Sequence, residues 1–199
     1  IRKLGFDFSL ENPSFPKTNS LSKNIEKVLK NSAQPYIGFA PFAAYASKTY
    51  PFKNIRNLVK ILSEKSGTVI LFGGGQEEIK KLNVLAEAYD NVLSVAGQLS
   101  IDEELQLMSH LKVMLAMDSG NAHMAAMMGI KVLTLWGVTH PYSGFKPFNQ
   151  PLENCLLADK EQFPKIPTSV YGNHYPKGYE KAIASISEEA IVEAVKKAL

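Results

Sequence analysis

The sequence predicts an α/β protein built on a doubly wound parallel sheet, and three observations carry that prediction. Five short apolar runs, at residues 36–40, 68–72, 91–95, 113–117 and 132–136, alternate with segments whose apolar residues recur at helical spacing. None of the links between the runs has the two-residue turn of a hairpin, so each strand must reach the next by a crossover, which gives a parallel sheet. The fourth run stops at Asp118-Ser119-Gly120. Polar residues therefore gather at the carboxyl end of a strand, where open parallel sheets bind ligands, because the following helix directs unpaired N–H groups into a crevice there.

In chain order, residues 1–19 carry Pro13 and Pro16 among Ser, Asn and Lys, with Phe6, Phe8 and Phe15 irregularly spaced, and read as an entering linker. Residues 20–31 place Leu21, Ile25, Val28 and Leu29 on one helical face and Lys23, Lys27 and Lys30 largely on the other. The run at 36–40 lies between Pro35 and Pro41 and opens into a loop ending Lys48-Thr49-Tyr50-Pro51. Ile55, Leu58, Val59 and Leu62 then mark a helix to about Lys65, which Gly67 ends. After the second strand, Gly73-Gly74-Gly75 leads to a helix from Gln76 through Leu82, Leu85 and Ala86. The third strand gives way to Ser100-x-x-Glu103, a capping box for a helix carrying Leu105, Leu107 and Met108. Behind Asp118-Ser119-Gly120 runs a small-residue helix with His123 that closes at Gly129; Met124, Met127 and Met128 read as core. Residues 137–180, with six prolines and interspersed aromatics, read as a long irregular connection with room for short strands, its aromatics packing against another domain. Ser187 caps a last helix over 188–198.

Composition is that of a soluble globular chain: 199 residues, 45% hydrophobic and 21% charged, enough for one good core. No run of about 18 apolar residues and no basic-then-apolar leader is present. The chain begins at Ile1 rather than Met, which leads us to expect a fragment or a processed product. A lone cysteine, Cys155, has no partner for a disulfide or a CxxC metal site, so a reducing, cytoplasmic setting is expected. Charge is uneven: residues 1–65 hold 11 Lys/Arg against 4 Asp/Glu, and the remainder 11 against 15. A basic first third suits an anionic ligand or peripheral contact with an acidic membrane surface, or is simply a solvated face. No RNA-binding or helix-turn-helix pattern accompanies it, so no nucleic-acid partner is expected.

Because all strands of a parallel sheet point the same way, the loops after residues 40, 72, 95 and 117 share one rim. Lys48 supplies a cation there. Gly73 to Gly75, with Gly74 at the centre, and Ser119-Gly120 supply backbone N–H groups, and Glu77 and Asp118 supply carboxylates. A phosphate flanked by sugar hydroxyls satisfies all of these together. Each has a plainer alternative: a surface lysine at Lys48, a strand-to-helix turn at the glycines, a helix N-cap at Asp118 and a packed histidine at His123. The glycines do not form G-x-G-x-x-G, since Glu78 stands where the last glycine belongs, which weakens an NAD-dependent oxidoreductase. There is no P-loop, no nucleophile elbow, and no zinc spacing among His110, His123, His140 and His174.

From Gly38 to Trp136 the chain resembles the carboxyl-terminal domain of the heptosyltransferase-type glycosyltransferases of family 9. The most specific residues are Asp118-Ser119-Gly120-x-x-His123 followed by Ala125, Ala126 and Gly129, supported by Lys48-x-Tyr50-Pro51, the glycine turn leading to Glu77, and Leu99-Ser100. The resemblance implies one Rossmann-like half of a GT-B enzyme, with residues 20–199 binding the nucleotide-sugar and an amino-terminal acceptor domain absent from this chain. It implies that Lys48 and the N–H groups of Ser119 and Gly120 hold the diphosphate, that Glu77 holds the ribose, and that the backbone around Leu99 receives the base. Asp118 and His123 would lie near the transferred sugar.

The implied activity is inverting transfer of a sugar such as heptose from an ADP-heptose-like donor to lipopolysaccharide core or a related glycan. It implies no metal and no cofactor, with the catalytic carboxylate on the absent domain and the isolated fragment inactive. Family members often carry hydroxyl residues where Ala43 and Ala44 stand, so part of the phosphate grip differs here. The alternatives are a nucleotide-sugar 2-epimerase of the same architecture and a non-catalytic nucleotide-sugar-binding module.

Overall fold

All five predicted strands join one all-parallel sheet, and a sixth extends it. A computed structural model of the chain describes residues 2–7, 9–30 and 32–199; Phe8 in the linker and Asn31 at the end of the first helix lie outside them. The strands are β1 (Tyr36–Ala40), β2 (Thr68–Leu71), β3 (Val92–Ser94), β4 (Val113–Met117), β5 (Val132–Trp136) and β6 (Cys155–Leu157). Their order is β3-β2-β1-β4-β5-β6, and every neighbouring pair is parallel. The helices are α1 (Lys23–Leu29), α2 (Phe52–Lys65), α3 (Gln76–Ala86), α4 (Ile101–Met108), α5 (Gly120–Met127) and α6 (Glu188–Ala198). The sixth strand, β6, is one of the short strands for which the irregular segment 137–180 left room; with three residues it is too short to show a period that would place it.

Alternate strand residues face opposite helical layers, as the two-residue period of a strand requires. Ile37 and Phe39 of β1, Val69 and Leu71 of β2, and Val113, Leu115 and Met117 of β4 pack with α2, α3 and α6. Tyr36, Ala40, Ile70, Phe72, Met114 and Ala116 pack on the other side with α1, α4 and α5. In α2, Ile55, Leu58, Val59 and Leu62 are fully buried, and each such side chain stabilises the fold by roughly 1.5–3 kcal/mol relative to exposure. Gly38 in β1 lets Leu111 and Met114 pack close on the strand: a Cβ there would lie 2.6 Å from Leu111 Cδ1 and 2.9 Å from Met114 Sδ, so these side chains would have to shift.

The predicted caps form where the residues called for them. Ser100 and Glu103 make both halves of the capping box on α4, and the Ser187 side chain accepts from the Ala190 N–H at the start of α6. The first helix is shorter than its periodicity suggested, because the Ser22 side chain accepts from the Ile25 N–H and sets its start there. Ser22 and Asn24 also bond Glu103, and Gln106 bonds Ser20 and Ser22, tying α1 to α4.

Two packing expectations are corrected. Met127 is 63% exposed, since α5 presents its alanines to the sheet and turns this position outward. The aromatics of 137–180 do not all await another domain. Phe163 and Tyr179 meet edge-on at 5.2 Å over a small cluster of Val138, Ala158, Ile166 and Ala182. Tyr142 and Tyr171 remain 77% and 60% exposed.

Tyr50 joins the loop after β1 to the segment before α6: it is buried, and its hydroxyl donates to the Ile186 carbonyl at 2.6 Å. Burial, with the charges of Glu188 and Glu189 adding, pushes its phenol up to about 12. A tyrosine in the unfolded chain ionises near 10, so between about pH 10 and 12 the unfolded state releases a proton that the folded state keeps, and stability falls with pH. Tyr50→Phe should cost about 1–2 kcal/mol at neutral pH through the lost hydrogen bond. In chemical unfolding the gap between the wild type and this variant should shrink across that alkaline window; a constant gap would contradict the assignment.

Candidate functional site

Neighbouring strands β1 and β4 mark where the strand order reverses: the chain leaves β1 toward β2 on one side and β4 toward β5 on the other. Loops at such a point diverge and leave a crevice at the carboxyl ends. The β1 loop enters it as a 3₁₀ turn, Ala46–Lys48, held by Lys48 N–H to Tyr45 O and Thr49 N–H to Ala46 O. The Thr49 hydroxyl closes this loop, donating to Tyr45 O and accepting from the Ala43 N–H.

Lys48 Nζ lies 3.1 Å from Asp118 Oδ2 although the two residues are 70 positions apart. Both are withdrawn from water, their side chains only 12% and 6% exposed. Thr139, buried just beyond β5, donates its hydroxyl to the same carboxylate oxygen at 3.0 Å. A buried carboxylate is tolerated only when charge and hydrogen bonds compensate its lost hydration, and here two donors do so. Asp118 is therefore not the N-cap of α5: Ser119 occupies that position in extended conformation, and Asp118 faces Lys48 and Thr139. Neither is Lys48 a solvated surface lysine.

Directly after Asp118 comes the first turn of α5. Ser119 makes no side-chain cap, and its buried Oγ has no partner among the described residues. The N–H groups of the first turn, at Gly120 and Asn121, have no preceding helical carbonyl to bond, and they lie at the positive end of the helix dipole. Space beside Gly120 is open: a Cβ there would meet nothing within 4 Å. His123, half-buried, sits one turn further along α5.

Farther along the rim the predicted residues stand apart. The Gly74 N–H is engaged by Glu78 Oε2 at 3.0 Å, so Glu78 shapes the glycine turn, a role the sequence did not reveal. Glu77 is exposed and pairs with Lys80 at 2.9 Å, a surface contact too weak to fix it. Leu99 is half-buried between β3 and α4, packed on the α4 side of the sheet. Among the described residues no hydrogen bond or ion pair joins Gly74, Glu77 or Leu99 to the Lys48–Asp118 pair. A separate cavity of about 640 Å³ lies at the β3 edge, lined by Asn24, Lys27, Lys30, Asn83, Glu87 and Gln98 among others; none of the predicted site residues lines it.

Thr139 is the partner of Asp118 that sequence reasoning missed. Its signal was positional: extending the shared-rim argument from four strands to the fifth leads to the residues just past Trp136. Next to it, burial, with the Lys160 charge adding, pulls the His140 imidazole below its ordinary value. Neutral imidazole suits its role, since His140 Nδ1 accepts from the Tyr142 N–H.

Lys48→Met should leave Asp118 without its charged partner and cost on the order of 2–4 kcal/mol of unfolding free energy. Lys48→Met combined with Asp118→Asn removes both charges and should recover much of that loss. An equal effect of Asp118→Asn in the wild-type and Lys48→Met backgrounds, in chemical unfolding, would show that the two side chains are not coupled.

Comparisons with known proteins agree on one family. The model for glycosyltransferase family 9 (heptosyltransferase) matches residues 3–174. Lipopolysaccharide heptosyltransferase 2 of Escherichia coli K12 is 26% identical over 173 residues, covering 82% of this chain and 46% of that protein. Lipooligosaccharide heptosyltransferase 2 of Haemophilus ducreyi is 23% identical over 185 residues, covering 89% and 51%. Among solved structures, E. coli ADP-heptose lps heptosyltransferase II aligns with a TM-score of 0.66 at 20% identity, over 94% of this chain and 54% of that one. E. coli heptosyltransferase WaaC with ADP aligns at 0.61 and 18%, over 94% and 51%. The chain spans about half the length of the curated relatives it matches. With the family model matching most of its length, the chain belongs to glycosyltransferase family 9, the heptosyltransferase family.

Proposed function

We propose that this chain is the donor-binding half of an inverting glycosyltransferase. It would hold the diphosphate of an ADP-heptose-like sugar for transfer to lipopolysaccharide core or a related glycan. The observation that carries the reading is the convergence, where the strand order reverses, of the Lys48 ammonium with the open first turn of α5. A lysine ammonium has three donors. Asp118 takes one, and the others remain for phosphate oxygens beside the N–H groups of Ser119 and Gly120. Relatives supply the ligand class: solved family structures include E. coli heptosyltransferase WaaC with ADP and with ADP-2-deoxy-2-fluoro heptose.

In this reading residues 20–199 form the nucleotide-sugar domain, residues 1–19 lead into it, and acceptor and catalytic base belong to another domain. Gly74 and Glu77 serve the ribose end, the backbone at Leu99 meets the base, and Asp118 and His123 face the transferred sugar. Both described hydrogen bonds of Asp118 go to Oδ2, which leaves Oδ1 for a sugar hydroxyl. An acceptor oxygen attacks the anomeric carbon as its bond to the diphosphate oxygen breaks. The electron pair leaves with the diphosphate, the acceptor proton passes to the base outside this chain, and the anomeric configuration inverts. Positive charge fixed before the reaction stabilises the leaving group without reorganisation, and no metal or cofactor is required. Work at the cytoplasmic face of a membrane suits a lipid-linked acceptor. No helix among the described residues is long and apolar enough to cross a bilayer, so contact through this half would be peripheral.

Calorimetry with ADP, UDP and GDP tests the proposal. One diphosphate, ADP by this reading, should bind preferentially, with affinity unchanged by EDTA. Loss of one charge-assisted bond costs roughly 1.5–3 kcal/mol, so Lys48→Ala should weaken binding about ten- to a hundredfold. Binding of none of the three at millimolar concentration would favour a module that has lost its ligand.

A further inference from the structure

Residues 168–174 lie in the long connection before α6 and carry no recognised motif, yet they touch both donors that hold Asp118. Gly172 is buried with φ +80°, a conformation that favours glycine. A Cβ at this position would lie 3.0 Å from both Cγ and Cδ of Lys48 and 3.1 Å from Cγ2 of Thr139. The bare backbone of Gly172 thus packs against the aliphatic stem of the lysine and the methyl of the threonine.

Hydrogen bonds fix the turn on both sides. The Gly172 carbonyl accepts from the Ser47 hydroxyl at 2.5 Å, and its N–H donates to Ser169 Oγ at 3.1 Å. Ser169 Oγ also accepts from the His174 N–H, and the Thr168 N–H bonds the Val138 carbonyl next to Thr139. Ser47 is fully buried and precedes Lys48 directly. One residue therefore braces the lysine through its backbone neighbour and through its stem.

We infer that Gly172 is a positioning residue for nucleotide binding: the turn at 169–174 holds the Lys48 stem so that its ammonium is already in place when the diphosphate arrives. The inference rests on the donor-binding reading above. A free lysine samples many rotamers, and one ordered by the fold no longer loses that freedom on binding, which strengthens affinity without a new contact. A side chain at 172 would displace the Lys48 stem, the Thr139 methyl or the turn itself.

The test is a double-mutant cycle read by calorimetry with ADP on the whole chain, with folding checked by circular dichroism. Gly172→Ala should weaken ADP binding by roughly tenfold. In the Lys48→Ala background the same substitution should change affinity by less than about twofold, because no stem is left to position. Ser47→Ala removes only the bond to the Gly172 carbonyl and adds no bulk. It should show a smaller loss that likewise vanishes without Lys48, and it carries the test alone if Gly172→Ala does not fold. Equal weakening in both backgrounds, or none in the wild-type background, overturns the positioning role while leaving the donor-binding reading intact. Failure of the wild type to bind ADP removes that reading and the inference with it.

Discussion

A carboxylate and an ammonium taken out of water together, at the one place where the strand order of a parallel sheet reverses, set the terms for this structure. Neither charge is tolerable there alone. Asp118 directly follows β4 and Lys48 ends the turn after β1, and the adjacency of those two strands brings them within 3.1 Å. The sheet order is thus a condition for the pair, and the pair with its surroundings is what distinguishes this rim from an ordinary strand-to-helix turn.

Several distant segments converge on that condition. Thr139 arrives from the end of β5 to share the Asp118 oxygen. Tyr50 secures the β1 loop to the chain just before α6 through a buried hydrogen bond, and Gly172 packs on the lysine stem. The result is a cation with spare donors beside unpaired helix N–H groups, an arrangement suited to the charge that develops on a departing diphosphate. Along the rim, Glu77 is tied among the described residues by an exposed pair with Lys80 alone, so that end is ordered by far weaker interactions than the Lys48 end.

Much of this frame was legible in the residues, and the reasons differ by element. Strands buried on both faces announced themselves as apolar runs, and Ser100-x-x-Glu103 and Ser187 marked helix starts because capping chemistry is local. β6 could be allowed for but not placed, since three residues carry no period. Met127 was misplaced because an alanine-rich helix shows almost no amphipathic contrast from which to choose its buried face. At the site, topology alone put Lys48, Asp118, Ser119 and Gly120 on one rim. That Asp118 faces a lysine and a threonine instead of capping α5 depends on side-chain direction, which spacing does not report. Gly172 was the least readable position: its partners lie at Ser47, Lys48 and Thr139, and its own neighbourhood has no periodicity.

The central claim is that the crevice beside Lys48 and the first turn of α5, and not another surface of the domain, receives the nucleotide diphosphate. Amide chemical-shift mapping of the isotope-labelled chain during titration with ADP tests it most directly. The account predicts the largest changes at Lys48, Ser119, Gly120 and Asn121, with smaller ones toward Glu77 and Leu99. Changes centred instead on the β3-edge cavity, at Asn24, Lys27 and Asn83, with the α5 amides unmoved, would contradict it.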